Sequence, residues 1–262
     1  MSAPIVPPTL AEPPPRPALD TLDIFRAVVA IRNRLGAAGH SDAGELAFIE
    51  FCAAHALRSR AQLMQDLFVL YMLGSKRGGF FVEFGATDGV GISNTLLLER
   101  DFGWTGVLAE PARYWHEPLR ANRRCTISTH CVWHTSGQTL LFNETADREL
   151  STIDSLSSLD GHAPSRVNGD RYEVSTISLL DLLAQSNAPL TIDYLSIDTE
   201  GSEPDILAAF DFARYDIGII TVEHNYTPNR QLLHQLLVAN GYERRFEVLS
   251  QWDDWYVRTR PA

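Results

Sequence analysis

Residues 78–95 read GGFFVEFGATDGVGISNT, and this stretch decides the fold. Phe80, Phe81 and Val82 make an apolar run suited to a central strand, and Glu83 interrupts it one residue before Phe84. Gly85 permits a tight turn or a positive φ, and Gly89 lets the backbone come close to a ligand. A helix starting near Ser93 then aims its first N–H groups at that ligand. Strand, glycine turn and helix in this order predict a nucleotide-type site at a strand end of an open α/β sheet. Glu83 needs a partner there, because burying an unpaired carboxylate costs several kcal/mol.

The phosphate-binding motifs are not met. A dinucleotide fingerprint asks for G-x-G-x-x-G, and GVGISN starts that way at Gly89 but carries Asn94 in place of the third glycine. A P-loop asks for GK[ST], and the nearby lysine stands in GSKRGG (74–79). What remains is acidic-x-Gly-x-x-x-Gly: Glu83, Gly85 and Gly89. That spacing suits S-adenosylmethionine, which has no pyrophosphate but has an amino-acid end and a sulfonium; a plain structural turn has the same spacing. The next strand, in GWTGVLAEP (103–111), ends in Glu110, placed to take hydrogen bonds from a ribose diol. An exposed strand-end glutamate is the alternative.

Outward from this core, the chain has 262 residues, 45% of them hydrophobic, enough for one large α/β domain with an appendage. A formal net charge of -11 argues against a nucleic-acid partner. Three cysteines, Cys52, Cys125 and Cys131, suit a reducing compartment. No apolar run approaches the ~20 residues of a membrane span, and no secretory signal is visible. A cytoplasmic protein is expected.

Residues 1–17 are proline-dense and read as a disordered tail. Residues 18–75 read as three helices. The first carries Leu22, Phe25, Val28, Val29 and Ile31. The second is capped by Ser41-Asp42, with Leu46, Ile49 and Ala53 on its apolar side. The third runs through Leu63, Leu67, Leu70 and Tyr71 to Gly74. This segment is a candidate homodimerisation element. Residues 76–262 alternate strands and helices, which predicts a mostly parallel sheet. The expected strands are Phe80–Phe84, Gly106–Ala109, Thr126–Val132, Tyr194–Ile197 and Ile217–Val222. QTLLFN (138–143) and YEVSTISL (172–179) form a hairpin-like pair with a long loop, and an antiparallel pair ends the chain.

Five blocks in order extend the pattern: FVEFGATDGVGISNTLLLERDFGWTGVLAEP (81–111), STIDSL (151–156), YLSIDTEGSEPDIL (194–207), VEHN (222–225) and DDWYV (253–257). Together they resemble the FkbM-type methyltransferase family over most of the chain. The resemblance implies a Rossmann-like class I methyltransferase fold and an S-adenosylmethionine-dependent O-methyltransferase acting on a sugar, glycan or polyhydroxylated natural product. It places cofactor contacts at Glu83, Gly85, Ala86, Gly89, Ser93, Asn94 and Glu110.

Methyl transfer to an alcohol needs a positioned hydroxyl and a group to take its proton. SIDTEGSE (196–203) offers Asp198, Glu200 and Glu203, and ITVEHN (220–225) offers Glu223, His224 and Asn225. Asp198, His224 and Glu200 are the catalytic candidates, with His224 a base near neutral pH. Asp198, Glu223 and Asn225 are hard oxygen donors of the kind Mg²⁺ or Mn²⁺ takes. The plainer alternative has Glu200 and Ser202 capping the helix at Pro204. Cys125, His130, Cys131 and His134 invite zinc, but on one strand the two histidines stand ~13 Å apart, too far for one ion. The loop STIDSLSSLDGHAPSR (151–166) is long enough to be a lid or binding segment. Trp252, Trp255 and Tyr256 are either stacking faces or core. The competing classes are a nucleotide-dependent oxidoreductase and a non-catalytic binding protein on the same sheet.

Overall fold

The computed structural model describes residues 43–259, together with the helical Ala30. The expected tail 1–17 and, Ala30 apart, the expected first helix lie outside the described residues. From Gly44 onward the described residues belong to one compact unit. Residues 44–75 therefore pack with the sheet rather than standing apart from it.

The main sheet has seven strands. β1 (Phe80–Phe84), β2 (Thr105–Ala109), β3 (Thr126–Ser128), β8 (Thr191–Ile197) and β9 (Asp216–Glu223) are mutually parallel, in the spatial order β3-β2-β1-β8-β9. β11 (Asp253–Arg258) joins β9 antiparallel, and β10 (Tyr242–Arg245) joins the outer edge of β11 antiparallel. The chain leaves β1 toward β2 and β3, then returns on the other side through β8 and β9. β1 and β8 thus flank the point where strand order reverses, and ligands of open α/β sheets bind at the carboxyl ends there.

A second, four-stranded sheet carries β4 (Cys131–Trp133), β7 (Asp170–Ser178), β5 (Thr139–Glu144) and β6 (Thr152–Ile153) in that order. β5 and β7 pair antiparallel, as expected of 138–143 and 172–179. The expected single strand Thr126–Val132 is two strands in two sheets. Ser128 Oγ accepts the His130 amide at 3.3 Å, and the chain turns there before β4 begins. Cys125 consequently packs against the core under β1 and β2, while Cys131 lies in a separate core of the second sheet.

Strand alternation divides the main core. Val82 and Phe84 join one layer with α5 (Leu179–Gln185), α6 (Glu203–Ala208) and α7 (Asn229–Ala239). Phe81 joins the other, with α2 (Gln65–Met72), α3 (Leu96–Phe102) and Trp255. The helix α1 (Ala43–His55) does not use its expected face: Leu46 and Ala53 are exposed, and Phe48 is the buried anchor. Aromatic partners decide this, since the Phe48 ring meets Phe246 at 5.0 Å, Tyr71 at 5.4 Å and Trp255 at 5.9 Å. Trp255 and Tyr256 are fully buried core rather than stacking faces. Among the described residues no helix is long and apolar enough to cross a membrane.

Candidate active site

The carboxyl ends of β1, β2 and β8 open into a cavity. Gly85, Thr87 and Glu110 come from the first two strand ends, Asp198 and Glu200 from the third, and Phe142, Glu149 and Ile153 from the second sheet and its loop. Gly85 has φ +70°, and a Cβ on it would stand 2.0 Å from the Asp198 carbonyl oxygen. Only glycine lets the two strand ends approach so closely. Glu110 is buried at the cavity wall, and its carboxylate accepts the Thr87 amide at 2.9 Å and the Ala112 amide at 2.8 Å. Burial pushes its carboxyl up to about 7 despite those two hydrogen bonds.

The other expected cofactor contacts, Glu83, Ala86, Gly89, Ser93 and Asn94, do not line this cavity. Glu83 turns inward. It accepts the Asn94 amide at 2.8 Å and the Thr95 and Ser93 hydroxyls, and its Oε2 stands 3.7 Å from Arg123 Nη1. Arg123, at the end of α4 (His116–Asn122), has a fully buried side chain and ties the whole turn together. It pairs with Glu99 at 2.7 Å and donates to the Gly89 carbonyl at 3.2 Å, Ser93 Oγ at 3.1 Å and Thr95 Oγ1 at 2.9 Å. Gly89 is glycine because of this arginine: a Cβ there would meet Arg123 Cγ at 2.5 Å and Leu119 Cδ1 at 2.7 Å. The space a side chain would need at Gly89 is thus taken by Arg123 and Leu119. The expected helix start near Ser93 is corrected. α3 begins at Leu96, and the Thr95 and Leu96 amides donate to Ser93 Oγ at 3.3 and 3.2 Å rather than toward the cavity. Arg123 was missed. The one signal for it was the demand of Glu83 for a partner, and sequence gives no way to choose among the arginines.

At the other edge, oxygens of Asp198, Glu200 and Glu223 all lie within 4.8 Å of one another. Burial, reinforced by neighbouring carboxylates, pushes Asp198 up to about 7, Glu200 to about 9 and Glu223 well above its ordinary value. Glu200, at φ +59°, accepts Arg166 Nη2 at 2.6 Å and Asn225 Nδ2 at 3.4 Å. Arg166 comes from the 151–166 loop, is fully buried, and also binds Asp160 Oδ1 and the Leu150 carbonyl, each at 2.8 Å. Glu200 is thus no helix cap. Glu203 ties that junction instead, accepting the Thr199 amide at 2.9 Å and the Gly201 amide at 3.1 Å.

Two expected roles at this edge change. Asn225 turns its amide to Glu200, so the carboxylates that gather are Asp198, Glu200 and Glu223 rather than Asp198 and Glu223 with Asn225. His224 does not line the cavity of Gly85 and Glu110. Its Nδ1 accepts the Tyr226 amide at 3.0 Å, which leaves the proton on Nε2, 3.7 Å from Asp254 Oδ1. Burial raises Asp254, but the Arg230 hydrogen bonds at 3.1 and 2.8 Å and the charge of Arg244 outweigh it and hold the carboxyl below the usual range. His224 Nε2 is buried beside that carboxylate without a hydrogen-bond partner among the described residues.

A glycine turn after the first strand, a buried acid at the end of the second and acids at the fourth parallel strand define a class I, Rossmann-like α/β protein with a cavity at its strand ends. The methyltransferase FkbM domain matches residues 83–253, and the chain belongs to that family of S-adenosylmethionine-dependent methyltransferases. Among solved structures, it is similar to methyltransferase FkbM from Methylobacillus flagellatus KT: 12% identity, 80% of this chain and 58% of that one, TM-score 0.44. It is also similar to a methyltransferase from Pyrococcus furiosus (14% identity, 75% and 82% covered, TM-score 0.37). An O-methyltransferase from Bacillus cereus in complex with SAH is similar as well (15% identity, 83% and 90% covered, TM-score 0.38). No curated protein matches the sequence.

Proposed function

We propose that the protein transfers the methyl group of S-adenosylmethionine to a hydroxyl of a sugar, glycan or polyhydroxylated natural product. The observation that carries this reading is the cavity itself, with Gly85, Thr87 and Glu110 on one side and Asp198 and Glu200 on the other. These residues fit the cofactor. Glu110 spends two hydrogen bonds on backbone amides and is desolvated, so a ribose diol donating to it would favour its ionised form. The open turn at Gly85 and Thr87 would take the amino-acid end. When bound, the sulfonium supplies an activated methyl group, so the chain has only to orient the acceptor oxygen and take its proton. Asp198 suits that task, because burial brings its carboxyl up to about 7, where it is still partly ionised at neutral pH and basic enough to take a proton. Asp198 would receive the hydroxyl proton, with Glu200 beside it in the same wall. The dinucleotide alternative lacks its third glycine at Asn94.

A second reading adds Mg²⁺ or Mn²⁺. It is favoured by the three hard oxygen donors Asp198, Glu200 and Glu223 gathered within 4.8 Å. The experiment that tests both is transfer of labelled methyl to sugar acceptors after EDTA treatment, with each ion restored separately, beside Asp198→Asn. Full turnover in EDTA removes the ion and leaves the carboxylates as base. Undiminished turnover in Asp198→Asn removes this strand end from the chemistry.

A further inference from the structure

Four carboxylates line the cavity at the strand ends: Glu110, Glu149, Asp198 and Glu200. The chain itself engages three of them. Glu110 accepts the Thr87 and Ala112 amides, Glu200 accepts Arg166 Nη2, and Asp198 shares a hydrogen bond with Glu223. Glu149 is left over. It stands partly exposed at the cavity rim, and among the described residues no hydrogen-bond donor or cation meets its carboxylate. Lost hydration raises that carboxyl, and the charges of Asp147 and Asp88 raise it further. Asp198 feels its charge as well. Glu149 is therefore within electrostatic reach of both the turn after β1 and the end of β8.

We infer that Glu149 receives the α-ammonium of the methyl donor, which makes the second sheet's loop part of the cofactor site. The inference rests on the proposed reading of the cavity, where the amino-acid end meets Gly85 and Thr87, and it names the acid on that end. An ammonium leaving water needs a carboxylate or other acceptor in place of its hydration. Asp88 is the acid of the turn itself, but it does not line the cavity, and its Oδ1 already accepts the Val90 and Gly91 amides, each at 2.8 Å. The guanidinium lining the cavity, that of Arg148, is held by Glu144 and lies 4.7 Å over the Tyr114 ring. Glu149 alone among the cavity's acids has its charge free for a cation. The same carboxylate repels the pyrophosphate of a dinucleotide.

The backbone that carries Glu149 is fixed on both sides. It belongs to one short helical turn, Arg148–Leu150, in the connection from β5 to β6. Before it, the Arg148 side chain is clamped by Glu144 and Tyr114. After it, the Leu150 carbonyl accepts the buried Arg166 Nε at 2.8 Å. Ser151 Oγ closes the turn, donating to the Arg148 carbonyl at 2.8 Å and accepting the Thr145 amide at 3.1 Å. Every polar anchor of this turn is used within the chain except the Glu149 carboxylate. A carboxylate presented on a fixed backbone at a cavity rim has less conformational freedom to lose when a ligand arrives.

The test is calorimetry of the full chain with S-adenosylhomocysteine and with its desamino analogue, in which hydrogen replaces the α-ammonium. Glu149→Gln keeps the side chain's shape and removes its charge. The wild type should prefer S-adenosylhomocysteine by about threefold or more, the scale of an ion pair partly open to water. In Glu149→Gln that preference should vanish, with S-adenosylhomocysteine weakened and the analogue unchanged or tightened. The analogue keeps its own carboxylate, so removal of a facing acid relieves repulsion. Equal weakening of both ligands would show that Glu149 only supports the loop, and would overturn the inference. A preference kept in the variant, or absent from the wild type, would overturn it too. Failure of the wild type to bind either ligand would instead overturn the cofactor reading beneath it.

Discussion

Glu83 at the end of β1 and Glu223 at the end of β9 are both buried carboxylates on one sheet, yet the protein treats them in opposite ways. Glu83 is met by an arginine, a backbone amide and hydroxyls, all supplied by the chain. Glu223 is met by other acids. A compensated carboxylate holds a turn in place, whereas an uncompensated one is costly and is kept for chemistry. The contrast separates a scaffold edge, closed by the chain's own donors, from the edge proposed for the chemistry, the working edge.

The largest effect is expected on the scaffold edge. Arg123→Met leaves Glu83 and Glu99 without their shared cation, and breaking such a buried set costs about 3–5 kcal/mol. Urea denaturation measures it; a loss below about 1 kcal/mol, the scale of an exposed pair, would mean that the network is ornamental and the contrast false. Gly85→Ala comes next, because the new Cβ overlaps the Asp198 carbonyl and the residue must keep positive φ. Overpacking of this kind costs about 1–3 kcal/mol before the backbone strain is added. The same denaturation series should show it, with S-adenosylhomocysteine affinity falling in parallel.

The working edge should respond with the opposite sign. Burial and the Asp198 charge raise Asp253 from 3.8 to about 8. An acid whose folded value lies above its unfolded one stabilises the protein fully below the unfolded pKa. That contribution is lost as pH rises toward the folded value. The melting temperature should therefore fall between about pH 4 and pH 8. Asp253→Asn keeps an oxygen for Gln65 Nε2, which donates to Asp253 at 2.8 Å. It should flatten that fall and raise stability at pH 8 by about 1 kcal/mol or more. A steeper fall in the variant would show the acid to be compensated after all.

Sequence made the sheet legible because period-two alternation, the glycine turn and the strand-end acids are local signals. Phe80–Phe84 matched to the residue, the strands starting at Thr105 and Thr191 were off only at their starts, and Asp216–Glu223 is one residue longer at each end than expected. The break at Ser128 was not legible, since a serine accepting an amide two residues on carries no hydrophobic signature. Nor was the face of α1, which is chosen by Phe246 and Trp255 far along the chain. Position alone placed Glu110, Asp198, Glu200 and Glu223 at strand ends, and there they line the cavity or gather at its edge. The inward turn of Glu83, the reason for Gly89 and the burial of His224 depend on Arg123 and Asp254. Those are tertiary partners that no spacing announces.

Titration calorimetry of the purified chain with S-adenosylhomocysteine, beside NAD and beside Glu110→Ala, tests the central claim most directly. The account predicts saturable binding of S-adenosylhomocysteine, none of NAD, and a loss of about 1.5–3 kcal/mol in Glu110→Ala, the scale of hydrogen bonds to a charged group. Binding of NAD in its place, or S-adenosylhomocysteine affinity untouched by removal of Glu110, would contradict it.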